Sequence, residues 1–280
     1  MKPKTPTPDN SRRTLIMGIL NITPDSFYDG GQWTDLSAAV AHGLQMTGDG
    51  ADLIDVGGES SRPGSDPVPE AEEQRRVLPV VEALAARGTA VSVDTWRAST
   101  AEKALAAGAV MINDITGLRG DPRMAEVIAG AGCLCVIMHM QGTPKTMQLQ
   151  PHYSDVVNDI CRFFEERLSF AVRSGIAEDR TWLDPGFGFG KTPDHNLELV
   201  RRLDAFLQFG RPVLLGASNK STLGAVLHAD VHDRAEGNMA VVAYAIAKGV
   251  HCVRVHDVRM TARVARMADA IRRGRVAEHG

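Results

Sequence analysis

Short apolar runs bounded by Gly, Pro, Asn or Asp recur along the whole chain, and they predict buried parallel strands. The runs lie at residues 14–21, 52–58, 90–95, 110–115, 134–139, 181–186, 212–218 and 252–257. Between them, apolar residues recur at spacings of three and four, as in LSAAVAHGLQMTGDG and NMAVVAYAIAKG, which predicts helices. The segment EAEEQRRVLPVVEALAARG begins acidic and ends at Gly88, which suits the helix dipole and a glycine stop.

Eight strand–helix units in a chain of 280 residues predict a single (β/α)8 TIM barrel, an α/β fold with its active site at the C-terminal ends of the strands. A doubly wound open sheet is the alternative, but no G-x-G-x-x-G follows the first strand. Residues 1–12 are polar and proline-rich and are expected to form a flexible tail. Residues 13–280 are expected to form one barrel domain.

Composition narrows the class of protein further. Hydrophobic residues make up 44% of the chain and charged residues 23%, which is enough to bury a full core. A net charge of -3 gives no reason to expect nucleic acid or an anionic membrane as a partner. No apolar run resembles a membrane span or a signal peptide. The four cysteines lack zinc-finger spacing and are expected to be reduced, buried thiols of a cytoplasmic protein.

The last strand, CVRVHD, carries two basic residues in an apolar run. Side chains alternate along a strand, so Val253 and Val255 share one face while Arg254 and His256 share the other. Most of the other predicted strands also end in polar groups: Asn21, Glu59–Arg62, Asp94, Asn113, His139, Asp184 and Ser218–Lys220. Unpaired charges at the opening of a core are costly, so the set predicts a ligand there.

Each of these residues also has a purely structural interpretation. Asp94 or Asp184 could cap a helix, and Asn113 could satisfy a turn. His139 could equally be a packed core histidine, and Lys220 a solvated loop charge. Taken together, Asp94, Asn113 and Asp184 offer acceptors for a donor-rich heterocycle. Arg62, Lys220, Arg254 and His256 offer donors for an anion such as a phosphate.

Several motifs together resemble the dihydropteroate synthases. They are GILNITPDSFYDGG, LIDVGGESSRPGS, SVDTWRAS, MINDITG, MHMQGTPKTMQ, LDPGFGFGKTPDHNL, SNKSTLG and RVHDV, and they run from about Met17 to Val258. The resemblance implies a folate-pathway transferase that joins 6-hydroxymethyl-7,8-dihydropterin diphosphate to 4-aminobenzoate, releasing diphosphate and 7,8-dihydropteroate. It also implies Mg²⁺ as cofactor, a homodimer formed by helices late in the chain, and a sulfonamide target.

The resemblance assigns roles to individual residues. The pterin would be held by Asp94, Asn113, Met138, Asp184, Phe189 and Lys220. The diphosphate would be held by Asn21, Arg62, Arg254 and His256, with Asn21 also contacting Mg²⁺. The aminobenzoate would be lined by Phe27, Ser61, Pro63 and Ser221. The residues expected to act in catalysis are Asp94, Asp184, Lys220 and Arg254.

Two segments receive a structural interpretation. DPGFGFGKT lacks the full phosphate-loop spacing, so Lys191 is expected to be structural or solvated. MHMQGTPKTMQ is expected to be a pocket wall and not a metal site.

Three departures from the family pattern stand out. Asn219 occupies a position where the family usually has arginine, Ser61 one where threonine is usual, and EGNMA one where a small Ser or Thr follows the glycine. The first departure keeps open a non-catalytic pterin-binding paralogue. A pterin-dependent methyltransferase of the same barrel type is a third possibility, against which TPDSF, SSRPG and the Arg254/His256 pair argue.

Overall fold

The computed structural model describes residues 6, 13–22, 32–60 and 64–275. The strands are β1 (Leu15–Asn21), β2 (Leu53–Gly57), β3 (Val91–Asp94), β4 (Met111–Asp114), β5 (Leu134–Met138), β6 (Thr181–Asp184), β7 (Leu214–Leu215) and β8 (Cys252–Val255). The helices are α1 (Gln32–Gly48), α2 (Glu70–Ala85), α3 (Ala98–Ala106), α4 (Met124–Ala131), α5 (Val156–Arg173), α6 (Pro193–Arg201), α7 (Ser221–Leu227), α8 (Ala235–Ala247) and α9 (Val258–Arg273). Two 3-10 helices, Glu178–Arg180 and Leu203–Phe209, precede β6 and β7.

The eight strands form one parallel sheet in the order β6-β5-β4-β3-β2-β1-β8-β7. A parallel bridge between Leu183 and Val213 joins β6 to β7, and the Leu183 amide donates to the Pro212 carbonyl at 2.8 Å. These contacts close the sheet into a barrel surrounded by helices. The predicted (β/α)8 barrel is therefore confirmed.

Alternation along each strand separates two apolar layers. In β8, Val253 and Val255 belong to the large layer between the strands and the helices. Cys252 belongs to the smaller layer inside the barrel, with Met17, Leu53 and Trp182 among its neighbours. Arg254 alternates with the valines and therefore points inward. The face that carries Arg254 is the barrel interior.

Other features agree with the sequence-based expectations. All four cysteines are buried and free. In the part of the chain that the structure describes, no helix combines the length and apolarity needed to cross a membrane. Apart from Pro6, the proposed tail at residues 1–12 lies outside the described residues, as do residues 276–280.

Candidate active site

One row of residues crosses the C-terminal ends of four neighbouring strands, hereafter the barrel rim. The strand registers pair Asn21 with Gly57, Gly57 with Asp94, and Asp94 with Asn113. Gly57 has no side chain, and a Cβ there would lie 3.5 Å from both Asn21 Oδ1 and Asp94 Cβ. The parallel registers therefore bring three predicted ligand-binding residues into one row.

Arg254 links this row to a residue that the sequence analysis missed. Its Nε donates to Asp55 Oδ2 at 2.6 Å, and its Nη2 donates to Asp94 Oδ2 at 2.9 Å. Asn113 Nδ2 also donates to Asp55 Oδ2, at 3.0 Å. These bonds use the N–H of Nε and one N–H of Nη2, so among the contacts of the described residues both N–H groups of Nη1 and the second of Nη2 remain for a ligand.

Asp55 is fully buried on the inner face of β2, between Leu53 and Gly57. The run DLIDVGG predicts a continuous buried strand. Asp55 is therefore easily mistaken for one of the polar residues that bound such a run. The sequence signal for an inward-facing Asp55 is strand alternation, which places it on the same face as Leu53. The same alternation places Arg254 on the inner face of β8.

Two oxygen acceptors in this group have no protein partner among the described residues. They are Asp55 Oδ1 and Asn113 Oδ1, both buried. Buried polar atoms are normally hydrogen-bonded, so orphaned acceptors inside a barrel favour a ligand or water that donates. A flat heterocycle rich in N–H groups would satisfy them.

Burial also perturbs the two carboxyl groups expected in catalysis. Burial raises the pKa of Asp94 to about 7, although the charge of Arg254 opposes the shift. Burial raises the pKa of Asp184 to about 6, opposed by its hydrogen bond from the Gly186 amide and by Lys220. Both pKa values therefore lie close to neutral pH, so a cationic ligand would shift both carboxyl groups toward the ionised form.

The turn after β6 requires glycine. Gly186 has a φ of 70°, and a Cβ there would lie 1.9 Å from the His139 carbonyl oxygen. The turn folds back so that the Gly186 amide donates to Asp184 Oδ1 at 2.7 Å. This geometry explains the glycine-rich sequence DPGFGFGKT without a phosphate ligand.

Lys191 and His139 hold this turn from beneath. Lys191 Nζ donates to the carbonyl oxygens of Gly186 and Phe189 at 2.9 and 3.0 Å, and lies 3.0 Å from His139 Nδ1. Burial lowers the pKa of Lys191 to about 7, and burial keeps the pKa of His139 well below its usual value. A neutral imidazole can accept from the ammonium group. His139 is therefore a packed histidine and Lys191 a structural lysine.

An apolar wall stands beside Asp184. Met138 pairs in register with Asp184, and both Met138 and Phe189 are buried. They belong to one cluster, which also contains Ile115, Met140 and Met147, with Trp96 packed against it. The Met-rich segment thus forms a wall, as expected. Lys220 Nζ lies 3.8 Å from the centroid of the Phe189 ring, which places a cation against this wall.

His256 and Ser221, which are also expected to contact a ligand, lie at the edge of the barrel rim. His256 is exposed, and its Nδ1 lies 2.9 Å from Ser218 Oγ. Ser221 begins α7, directly after Lys220. Four of the expected contacts, Phe27, Ser61, Arg62 and Pro63, lie outside the described residues.

Comparison with known proteins agrees with this site. The family model for pterin binding enzymes matches residues 17–256. A curated relative, dihydropteroate synthase of Bacillus subtilis, is 44% identical over 269 residues, covering 96% of this chain and 92% of the relative. The chain therefore belongs to the family of pterin binding enzymes. Within that family, its relatives over nearly the full length are dihydropteroate synthases, which confirms the expected family and an enzyme of folate synthesis.

Solved structures show the same barrel. The Yersinia pestis dihydropteroate synthase, determined with a sulfonamide drug, superposes with a TM-score of 0.91 at 44% identity and covers 98% of this chain and 99% of its own. The Xanthomonas albilineans dihydropteroate synthase, determined with 7,8-dihydropteroate, superposes with a TM-score of 0.85 at 40% identity, covering 95% of this chain and 98% of its own.

The described residues contain no group of three or more His, Cys, Asp or Glu side chains arranged to hold a metal ion. The amide oxygen of Asn21, at the start of the rim row, is the kind of ligand that Mg²⁺ accepts. Mg²⁺ usually keeps several waters and is bound through one or two carboxylates together with substrate phosphates. A Mg²⁺ ion beside Asn21 would therefore depend mainly on the oxygens of a phosphorylated substrate.

Proposed function

We propose that this chain condenses 6-hydroxymethyl-7,8-dihydropterin diphosphate with 4-aminobenzoate to form 7,8-dihydropteroate and diphosphate. The observation that carries the proposal is the buried group of Asp55, Asp94, Asn113 and Arg254, in which two acceptor oxygens lack protein partners. A dihydropterin has several N–H donors on a flat ring, so it matches this group in chemistry and shape. Family membership and the dihydropteroate-bound relative support the same assignment.

The pterin ring would lie between the polar row and the apolar wall. Asn113 and Asp184 would accept hydrogen bonds from the ring, while Met138 and Phe189 would pack against it. Lys220 would meet the ring from the side of Phe189, where its ammonium group already lies. Buried acceptors discriminate strongly in favour of a ligand that donates to each of them, because any other ligand leaves them unpaired.

Departure of diphosphate leaves positive charge on the pterin methylene group. Asp94 and Asp184 would offset that charge, because carboxylates fixed in a poorly solvated site stabilise a cation more than water does. The positive charge that forms beside these carboxyl groups favours their ionised form and so opposes the effect of burial on their pKa values. This contribution is expected to be on the order of 3 kcal/mol for each well-placed group.

The diphosphate would lie over the edge of the rim. Arg254 Nη1 and His256 would donate to its oxygens, together with Asn21 and Arg62. Asn21 would also supply one oxygen to Mg²⁺, which would neutralise phosphate charge when bound. Arg254 is held by Asp55 and Asp94 on one side, so its free edge is oriented before the substrate arrives.

Several expectations extend this proposal. Phe27, Ser61, Pro63 and Ser221 would line the aminobenzoate site, and the enzyme would act in the cytoplasm.

A homodimer would form through late helices, which expose apolar side chains: Val226 and Leu227 on α7, Tyr244 on α8, and Met267 and Ile271 on α9. Light scattering during size-exclusion chromatography would measure that state, and residues 1–12 would be dispensable for it.

The decisive experiment is to measure diphosphate release and 7,8-dihydropteroate formation on mixing the two substrates with Mg²⁺. We expect both products in equal amounts, and neither in a Lys220→Ala variant. A mixture without aminobenzoate controls for simple hydrolysis of the pterin diphosphate. Tight pterin binding without turnover would instead identify a non-catalytic paralogue. Methyl transfer from methyltetrahydrofolate in a parallel assay would identify the methyltransferase alternative.

A further inference from the structure

Two asparagines beside the expected catalytic Lys220 contact each other. Asn219 directly precedes Lys220, and Asn238 lies on α8, after the glycine of EGNMA. Asn238 Oδ1 accepts from the Asn219 amide at 3.0 Å, and Asn238 Nδ2 donates to Asn219 Oδ1 at 2.9 Å. One asparagine side chain therefore binds both the backbone and the side chain of the other.

The backbone at Asn219 explains why this residue type fits. Its φ is 58°, in the left-handed region, which asparagine adopts more readily than most residues with a side chain. The turn thus directs the Asn219 side chain toward α8, where Asn238 is nearly fully buried. Arg234 completes the contact by donating to the carbonyl oxygens of Asn219 and Lys220 at 3.0 and 3.3 Å.

Lys220 is the next residue, and its position depends on this turn. Its alkyl chain lies against Gly188, where an added Cβ would be 3.0 Å from Lys220 Cδ. Its Nζ lies over the Phe189 ring, and its charge acts on both Asp94 and Asp184. A small rotation of the 219 peptide would displace the ammonium group from this narrow space.

We propose that Asn238 is a positioning residue for Lys220, acting through Asn219. Because Asn238 acts through Asn219, the two side chains are expected to behave as one unit when they are mutated. The effect on turnover rests on the proposed function, whereas the effect on the turn itself does not.

A neighbouring cavity leaves room for larger and smaller side chains in the pair. A space of about 220 Å³ lies beside it, and the residues that line it include Asn219, Asn238, Val231, Asp257 and Met260. Asn238→Ser would enlarge this space, and Asp257 would offer an acceptor within it to an arginine at position 219.

The single variants should differ in a defined order. Asn219→Arg removes the side-chain bond but keeps the bond from the 219 amide to Asn238, so kcat/KM should fall by less than about tenfold, or ~1.4 kcal/mol. Asn238→Ser removes both bonds, so kcat/KM should fall by about tenfold or more. Lys220→Ala should cost far more than either change. The double variant Asn219→Arg/Asn238→Ser should lose about as much as Asn238→Ser alone, because both changes act on one contact.

A measurement that does not depend on turnover accompanies the kinetics. Hydrogen exchange of the segment 217–222 should be faster in Asn238→Ser, and the affinity for 7,8-dihydropteroate should be weaker by calorimetry. Asn158→Ser on the exposed face of α5 is the matched control, because its side chain makes only a 3.4 Å contact with Arg202 among the described residues. It should change none of these quantities.

The outcomes separate the two proposals. Faster exchange in Asn238→Ser with parental kcat/KM and parental affinity would overturn a role toward Lys220, leaving only a turn contact. Losses in the double variant that equal the product of the single losses would overturn the claim that Asn238 acts through Asn219. If the parent releases no diphosphate, the proposed function fails, yet exchange and dihydropteroate affinity still decide whether Asn238 positions Lys220. If Asn238→Ser does not fold, Asn219→Gly, which accepts the left-handed backbone and removes the side-chain bond to Asn238, supports the same measurements.

Discussion

At the scale of single residues, Asp94 combines three properties that a catalytic carboxyl group needs. It lies at the end of β3, accepts from Arg254 Nη2, and has a pKa raised by burial to about 7. Asp94→Asn keeps the shape and one acceptor oxygen but removes the charge. We expect kcat/KM to fall by about 10²-fold or more, because the cationic intermediate loses an opposing charge. The fold should be retained, because Asp94 ends a strand and asparagine keeps an acceptor for Arg254.

The measurement for Asp94→Asn is steady-state kinetics beside a thermal unfolding curve. Near-parental efficiency in a well-folded variant would exclude Asp94 from the mechanism. In the parent, kcat/KM should also decline as the pH falls through about 7, and that decline should be absent from the residual activity of Asp94→Asn.

Asp184 gives a prediction about stability in the ligand-free protein. Burial raises its pKa to about 6 from 3.8, so the folded state binds more protons than the unfolded state between these values. The folded state therefore loses stability as the pH rises through this window. Between pH 5 and pH 8 the loss attributable to Asp184 should be about 1 kcal/mol, and it should be absent in Asp184→Asn, which stays neutral.

Urea unfolding of parent and Asp184→Asn at pH 5 and pH 8 would check this. The variant should gain stability relative to the parent as the pH rises, even though it loses activity. An equal pH dependence in both proteins would mean that Asp184 titrates normally, and would remove the argument that the site holds a destabilised carboxylate for its ligand.

At the scale of elements, Arg97 joins the two ends of the loop between β2 and α2. Its Nη1 donates to Glu59 at 2.6 Å and to Glu73 at 2.9 Å, and its Nη2 donates to the Val68 carbonyl at 2.7 Å. Glu73 is almost fully buried and also accepts from Thr95 and Thr100. This loop carries Ser61–Pro63, so Arg97 anchors the segment expected to cover the second substrate.

Replacing Arg97 by lysine keeps the charge but loses the fork that bridges three acceptors. We expect Arg97→Lys to cost about 2 kcal/mol of stability, because a buried acceptor loses its donor. KM for aminobenzoate should rise more than KM for the pterin substrate. Arg75→Lys is the matched control, since Arg75 forms an exposed pair with Glu72 on α2 and should change neither quantity. Equal increases in both KM values would contradict a specific role in the loop.

The elements themselves were predictable because barrel strands and helices are set by local periodicity. The strand ends that carry Asp94, Asn113, Asp184 and Arg254 followed from the same pattern. Asp55 was missed because alternation was not followed through a run that is apolar on both faces. The contacts of Asn238 with Asn219, and of Arg97 with Glu59, join residues 19 and 38 positions apart. Local pattern carries no information about such contacts.

At the scale of the whole molecule, the expected pterin pocket and the expected aminobenzoate site are built from different parts of the barrel. The pocket is built from strand ends and is closed from below by the inner apolar layer. The expected aminobenzoate residues Phe27, Ser61 and Pro63 instead lie on the connections after β1 and β2. Because the aminobenzoate site depends on these connections and the pterin pocket does not, we expect the aminobenzoate site to form only after the pterin pocket is filled.

We therefore expect 4-aminobenzoate, or a sulfonamide, to bind weakly to the free protein and at least tenfold more tightly once Mg²⁺ and diphosphate are present. The diphosphate would contact Arg254 and His256 on the rim and the loop residue Arg62, so it can favour the closed arrangement of a loop that also lines the second site. A ligand shifts such an equilibrium only by its differential affinity for the two arrangements, and the coupling must be reciprocal.

Calorimetric titration should show that aminobenzoate strengthens diphosphate binding by the same factor. Arg97→Lys should reduce this coupling, whereas Arg75→Lys should not. Equal affinity for aminobenzoate with and without diphosphate would mean that the second site is preformed, and the loops would have no part in ordering the two substrates.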